Sequence, residues 1–319
     1  AGNDAIGFGI IESIAVIPVI DGDDQVWVSV KREINGSTVR YIEFMMPENY
    51  DAQHDSFFVD SGLSLDNAVT ITGATKANPV VITAASHGFS DGDTVRITDV
   101  VGMVELNGNS YKVANKATNT FELTDSSDVN IDGTAFTTYI SGGEVRVKVT
   151  SISGLTHLEG ETVAVLGDGA PQTSQVVASG AITLASAASL VHVGLPYTPK
   201  LKTLPIEFGS ATGTGIGKTK RIYKMILQLH RSVGFQFGEV TDNLGSLGFT
   251  FGASQDALDT FIFRTTSTPT GIPPTLVTGD EEMTFPSDWE NVGQVLIQQP
   301  QPLPLNVLAI VLFVDLSDE

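Results

Sequence analysis

Hydrophobic and polar residues alternate along most of the chain, and this period of two predicts β-strands. Val26, Val28 and Val30 open the pattern and Asn35-Gly36 follows them. This dipeptide is typical of a tight hairpin turn, because both of its positions need a positive φ. A second strand is therefore predicted over 38–45. The alternation returns at 145–149, where Arg146 and Lys148 predict one solvent-exposed face.

The second half of the chain has a longer pattern of the same period. Between Arg221 and Phe237, six apolar residues share one parity, which predicts a long strand or a bent pair of strands. They are Met225, Leu227, Leu229, Val233, Phe235 and Phe237. Leu247, Phe249 and Phe251 repeat it after a turn. The segment from Leu305 to Leu316 is rich in β-branched residues and predicts a fully buried strand.

Helical signals are few. A short helix is predicted over 256–263 and a single helical turn over 61–67. Together they amount to less than about a tenth of the chain, against the usual third. The predicted class is all-β.

The segment from Val69 to Gly143 differs from its surroundings. It is rich in Thr, Asn, Asp and Gly, and its short strands predict a small barrel of SH3-like size, inserted at a loop tip. The strands are predicted near 80–83, 94–98, 110–113, 120–123 and 137–140. The predicted domains are therefore a β platform that starts over 1–68, the inserted module over 69–143 and the rest of the platform over 144–319.

Composition excludes several classes of protein. The 319 residues contain no cysteine, which excludes a disulfide scaffold, a thiolate zinc site and a cysteine nucleophile. The longest apolar run has about a dozen residues, whereas a membrane helix needs about 20, so no membrane span is predicted. No signal peptide is visible. Because the chain starts at Ala1 rather than Met, we interpret it as a processed product or a fragment.

The net charge of −20 predicts a surface that repels nucleic acids and anionic lipids. The bases are unevenly placed, because seven of the 17 lie between Lys200 and Arg231, where Glu207 is the one acid. They form either solvated strand faces or a subunit contact with an acidic neighbour. The candidate subunit contact consists of Lys218, Lys220, Arg221 and Lys224.

Two motifs resemble ligand-binding sites, but each lacks a residue that such a site requires. Residues 213–219 approach a phosphate-binding loop, but Thr212 replaces the first glycine and a strand pattern follows, so a Gly-rich hairpin tip is predicted. Residues 128–133 match half of a calcium loop, but Tyr139 occupies the position of the bidentate Glu, which leaves a turn. The histidines show no ligand spacing. We predict no catalytic residue, metal or cofactor.

Several segments together resemble one family. They are Gln25–Gly36, Val39–Glu43, Phe57–Gly62, Ser153–Val163, Leu190–Tyr197, Lys220–Tyr223 and Gln299–Leu305. This set resembles the C-terminal half of the tail nozzle, or tail tubular, protein of short-tailed bacteriophages, over most of 10–68 and 146–319. Separately, 71–125 resembles a module of phage tail proteins related to the first catalytic cysteine half-domain of ubiquitin-activating enzymes. Without a cysteine, that likeness implies a fold and not an activity.

The nozzle resemblance implies a propeller- or sandwich-like β platform and a ring, usually of six copies, below the portal and adaptor. DNA leaves the capsid through such a ring. We therefore expect a structural virion protein of the phage tail, not an enzyme. Its expected partners are further copies of itself, other tail and adaptor proteins, and double-stranded DNA that passes without tight binding. The alternatives are a receptor- or glycan-binding tail protein and a polysaccharide depolymerase.

Overall fold

The protein is built almost entirely of β-strands, which confirms the predicted all-β class. The computed structural model describes residues 9–19, 22–46, 50, 52–207, 209–210, 213–214, 218–239, 258–263, 273–290 and 293–317. In this part of the chain the helical elements are 3-10 turns at Gln53–Asp55, Val104–Leu106 and Thr156–Leu158. No helix among the described residues is long and apolar enough to cross a membrane.

The chain divides into two compact units, and unit 1 comprises Ala1–Pro47 and Val59–Leu195. Its strands are β1 (Ile10–Ile17), β2 (Gln25–Ile34), β3 (Ser37–Phe44), β4 (Asp60–Asp66), β5 (Val69–Thr70), β6 (Gly73–Ala74), β7 (Val81–Thr83), β8 (Thr94–Val101), β9 (Ser110–Ala114), β10 (Thr120–Thr124), β11 (Ser141–Val147), β12 (Val149–Ser153), β13 (Thr162–Gly167), β14 (Ala170–Val176), β15 (Ala181–Ala188) and β16 (Leu190–Leu195). They form sheets of order β1-β2-β3, β5-β11-β8-β9-β10-β7-β6, β12-β15 and β14-β13-β16-β4.

Unit 2 comprises Glu48–Phe58 and Pro196–Glu319. Its strands are β17 (Lys200–Lys202), β18 (Gly209–Ser210), β19 (Gly213–Thr214), β20 (Lys220–Ser232), β21 (Phe235–Glu239), β22 (Asp259–Phe261), β23 (Val277–Thr284), β24 (Val295–Gln298) and β25 (Val307–Leu316). They form sheets of order β17-β24-β21-β22, β18-β19 and β23-β20-β25. The division of the chain at 195/196 is not among the predicted domain boundaries.

The hairpin between β2 and β3 forms at the predicted turn. Asn35 and Gly36 have φ values of 47° and 70°, as a two-residue turn of this hand requires. Asn tolerates this backbone conformation and Gly adopts it without steric cost.

The seven-stranded sheet wraps around one apolar core within residues 71–145, where Phe121, Met103 and Leu123 are fully buried. Residues 69–74 supply both edge strands. The Ile71 N–H donates to the Gly143 carbonyl of β11 and the Thr72 N–H donates to the Thr83 carbonyl of β7. The sheet is therefore rolled, although its ladder is not a closed barrel. The strand predicted over 137–140 is wrong, because β11 begins at Ser141.

Two further cores hold the other sheets together. The second core of unit 1 contains residues of β12, β13, β15 and β16, together with Ile34, Leu155 and Leu158. The core of unit 2 contains Met225, Leu227, Phe235 and Phe237. The alternation over 221–237 thus forms the predicted bent pair, β20 and β21, with the bend at Val233-Gly234.

Four predictions of local structure are wrong. Residues 61–67 lie largely in β4, and Asp259–Phe261, within the predicted helix over 256–263, forms β22. Arg146 is buried rather than on a wet face, because carboxylates neutralise it. The C-terminal strand β25 lies at a sheet edge, which leaves Leu308 and Val311 more than half exposed. The strand pattern at 247–251 lies outside the described residues.

Candidate functional site

An apolar, exposed sheet is the strongest functional feature of unit 1. All eight residues of β1 are exposed, and so are apolar residues at the end of β3. The large apolar side chains that are 42–70% exposed are Ile10, Ile11, Ile14, Val16, Ile17, Ile42, Phe44, Met45 and Met46. These side chains lie on both faces of the sheet, and apolar side chains that are exposed together on one element mark an interaction site more often than bare solvent-facing surface. We call it the β1–β3 sheet.

Four charged groups of the β1–β3 sheet form ion pairs within it. The exposed Arg40 donates to Glu12 across the sheet at 2.7 Å. On the opposite face Arg32 is buried, and its Nε and Nη2 each donate to one oxygen of Glu43 at 2.8 Å. Asp60 lies 3.6 Å from the same guanidinium. Burial lowers the pKa of Arg32, but Glu43 and Asp60 outweigh that effect and raise it.

The four basic side chains of the candidate subunit contact lie in different environments. Lys220 is 1% exposed and its Nζ donates to the Ile206 carbonyl at 2.6 Å, so its side chain is not available to a neighbouring subunit. This corrects its place in the predicted contact. Lys224 pairs with Glu282 of β23 at 2.7 Å. Arg221 is exposed and donates to the Ser287 carbonyl, and Lys218 is half-buried.

The module is fastened to the platform by two polar clusters that the sequence did not reveal. Asp168, in the β13–β14 turn, accepts hydrogen bonds from the Ser189 N–H and hydroxyl and from the Leu190 N–H. Its other oxygen lies 3.4 Å from Arg96 of the module and 3.7 Å from Lys148. Burial raises the pKa of Asp168, but these donors and charges outweigh it and lower the pKa. In the second cluster, Arg146 of β11 donates both to Asp66 of β4 at 2.7 Å and to the Thr98 hydroxyl of the module at 3.3 Å.

We predict that deleting the module over 69–143, with a short Gly/Ser linker in its place, leaves the remainder folded. The module core shares no residue with the second core of unit 1, and the 2.8 Å hydrogen bond from Ile71 to Gly143 places its ends together. Asp168 would lose Arg96 but keep Lys148. Solubility and a cooperative melting transition measure the outcome. An insoluble product without such a transition would contradict the boundaries, which stay a prediction.

Unit 2 contains two carboxyl groups that share an environment. Oε2 of Glu239 accepts a hydrogen bond from the Asp288 N–H, while Oε1 is buried and has no donor among the described residues. Burial, and then the hydrogen bond with and charge of Glu290, raise the pKa of Glu239 to about 8. A proton held by Glu239 removes the repulsion between these two carboxyl groups.

This proton makes the stability of unit 2 depend on pH. Because the folded pKa is raised from 4.5 to about 8, the folded chain keeps a proton that the unfolded chain has released. The stabilisation of the folded state by this proton is fully present below about pH 4.5 and is lost as the pH rises through about 8. Because Glu239 is partly exposed, water screens this interaction, and the free energy of unfolding should fall by about 1–2 kcal/mol between pH 6 and pH 9.

Denaturation at several pH values measures this dependence. Glu239→Gln should flatten the stability profile between pH 6 and 9 and raise stability at pH 9. The exposed Asp280→Asn is the control and should keep the slope. Equal slopes for Glu239→Gln and the unmodified chain would contradict a shared proton.

Neither histidine pairs nor metal clusters point to catalysis. Ser64 Oγ and His192 Nδ1 lie 2.6 Å apart where β4 and β16 pair, but Asp66 beside them is held by Arg146. This arrangement fits a structural histidine. In the described part of the chain no three His, Asp or Glu side chains form a metal-binding group. The calcium-like motif over 128–133 lies in turns: Asp125, just before the motif, and Asp132, within it, accept hydrogen bonds from nearby N–H groups.

Comparison with known proteins assigns the module. The family model of the ubiquitin-activating enzyme E1 FCCH domain matches residues 77–148. Ubiquitin-like modifier-activating enzyme 1 of Homo sapiens is 36% identical over 104 residues, and the protein of that name from Oryctolagus cuniculus is similar to the same extent. Each match covers 31% of this chain and 9% of the relative. The module resemblance is thereby confirmed, whereas the nozzle resemblance stays a prediction.

Proposed function

We propose that this chain is a structural subunit of a phage tail, a nozzle component that forms a conduit for DNA ejection and carries out no catalysis. The observation that carries the proposal is the β1–β3 sheet, an extended apolar surface that contains two internal ion pairs, Arg32 with Glu43 and Arg40 with Glu12. Such a surface suits a permanent neighbour better than a transient ligand. The sequence resemblance to tail nozzle proteins supplies the identity of the assembly, a ring of about six copies that also binds adaptor proteins.

The acidity of the chain suits a conduit. Six copies of a −20 chain carry a formal charge of −120, and DNA brings one negative charge per roughly 1.7 Å of its axis. A basic wall would hold the genome, whereas an acidic wall lets it pass. Exposed acids of β23, Asp280 and Glu282, belong to the strongly acidic part of the chain that follows Arg231. The repulsion reaches only about 8 Å at physiological salt, so it acts only from acids that face the bore.

We predict that the purified protein does not retard double-stranded DNA in a gel, even at low salt. Particles carrying Asp280→Lys should eject DNA more slowly if β23 faces the bore, while Asp23→Lys, exposed in unit 1, is the matched control. Tight DNA binding by the unmodified protein would contradict the repulsive conduit and leave only an architectural role.

Location within the particle tests the proposed function. Gold-labelled antibody against the chain should mark the tail of particles that contain it, and labelled capsids or unlabelled particles would contradict the proposal.

Two assays address the alternative functions. Binding on a glycan array would favour a receptor- or glycan-binding tail protein, and release of oligosaccharide from polysaccharide would favour a depolymerase.

A further inference from the structure

We propose that a second copy of this chain covers the β1–β3 sheet, with β1 of one copy lying against β3 of the next. The inference rests on the proposed function and deepens it, because it names the neighbour and the strands through which the ring is built. It concerns only unit 1.

The sheet has two edges, which we call its β1 end and its β3 end, and both are open. β1 and β3 each pair with β2, and among the described residues neither has a partner strand on its other side. Proteins usually protect such edges with charges, prolines or covering segments. β1 reads Ile-Ile-Glu-Ser-Ile-Ala-Val-Ile, and its single charge, Glu12, is already engaged by Arg40. An edge of this composition is one that another strand covers.

Both faces of β1 are apolar as well as its edge. Ile14 and Val16 pair with Val28 and Val26 and so share the face that β2 turns towards the interior, yet they are 64% and 57% exposed. Ile17 lies on the opposite face and is 47% exposed. β1 therefore extends beyond the body of its own unit, and a neighbour can enclose it from both sides.

The exposed apolar side chains supply a large part of the area that a stable contact needs. In a head-to-tail contact one copy contributes the β1 end and the next copy the β3 end. At about half exposure each, the nine large apolar side chains of the two ends together present on the order of 500 to 1,000 Å², against the roughly 1,200 to 2,000 Å² that both partners of a specific complex bury. The sheet is also nearly neutral, because Arg40 pairs with Glu12 and Arg32 with Glu43. Two copies of a −20 chain can therefore meet there without the repulsion that their remaining surfaces impose.

The distribution of exposed residues favours a head-to-tail contact over a two-fold one. A two-fold pairing of β1 with β1 would leave Ile42, Phe44 and Met45 at the other end of the sheet uncovered. Pairing β1 with β3 of the next copy covers both ends in every subunit. A contact between two different surfaces repeats around an axis and can close into a ring.

Light scattering and sedimentation of matched variants test this arrangement. Ile14→Lys blocks the β1 end and Ile42→Lys blocks the β3 end, while Leu204→Lys, at a residue of unit 2 that is 85% exposed, is the control. Each blocking variant should have the mass of a single 33.7 kDa chain and an unchanged melting transition. The control should assemble like the unmodified protein. If Ile14→Lys loses its cooperative melting, Ile17→Lys takes its place.

Mixing the two blocked variants gives the sharpest result. Head-to-tail assembly leaves each variant one intact end, so an equal mixture should form a 1:1 dimer of twice the single-chain mass and nothing larger. A mixture that stays monomeric, or an Ile42→Lys variant that still assembles alone, would overturn the inference. If both blocked variants assemble like the unmodified protein, the strands named here are wrong while the proposed ring stands. If the unmodified protein is itself monomeric, both the inference and a ring formed by this chain fail.

Discussion

Replacing Arg32 with Met should lower the free energy of unfolding of unit 1 by about 3–5 kcal/mol. The Arg32 side chain is 3% exposed and holds the Glu43 carboxylate through two hydrogen bonds of 2.8 Å, with Asp60 at 3.6 Å. Without the guanidinium, the carboxylates of Glu43, 19% exposed, and Asp60, 48% exposed, lie near each other with no cation between them. Burial of an unpaired charge is among the costliest effects of a single substitution.

Arg40 offers a matched control on the same sheet. It makes a similar ion pair, at 2.7 Å to Glu12, but its side chain is 59% exposed. Arg40→Met should therefore cost under about 1 kcal/mol. Chemical denaturation of dilute samples compares the two variants, and Arg32→Met combined with Glu43→Gln should recover part of the loss. Equal losses for Arg32→Met and Arg40→Met would contradict the importance of burial.

Charge reversal of Lys220 should destabilise unit 2 by about 3–5 kcal/mol, whereas reversal of the adjacent Arg221 should leave folding almost unchanged. Lys220 is fully buried, and its ammonium donates to the Ile206 carbonyl at 2.6 Å. Lys220→Glu would put a carboxylate against that carbonyl in a buried position. Its main chain also pairs with Glu290 in both directions, so the disturbance spreads to that segment.

Measurements of melting and of assembly distinguish the role of Lys220 from that of Arg221. Arg221→Glu and Lys218→Glu should melt normally, so any change in their assembly reports on the candidate subunit contact, and that change should shrink in salt. Lys220→Glu should lose stability before assembly can be judged. If Lys220→Glu melts like Arg221→Glu, the buried position of Lys220 is incorrect.

Local patterns predicted those elements of the structure that a few neighbouring residues define. The Asn35-Gly36 turn and the bend between β20 and β21 follow from backbone preferences and side-chain parity that a few neighbouring residues define. The module was visible for a similar reason, because its short strands and turn residues are contiguous in the chain.

Features that depend on distant partners could not be predicted. Arg146 alternates with valines as a solvent-facing residue would, but Asp66, 80 positions away, neutralises it and permits burial. Lys220 looked like part of a basic surface because nothing near it in sequence indicates the Ile206 carbonyl. The apolar run of β1 is legible in the sequence, but its exposure is a property of the sheet edge and appears only in the structure.

Electron microscopy of the purified protein shows whether copies of this chain surround a channel, as the proposed function requires. We expect rings of about six copies with a central opening wide enough for a DNA duplex, and separate single chains when Ile14→Lys blocks the β1 end. Separate single chains at concentrations well above micromolar, or closed particles without an opening, would contradict it.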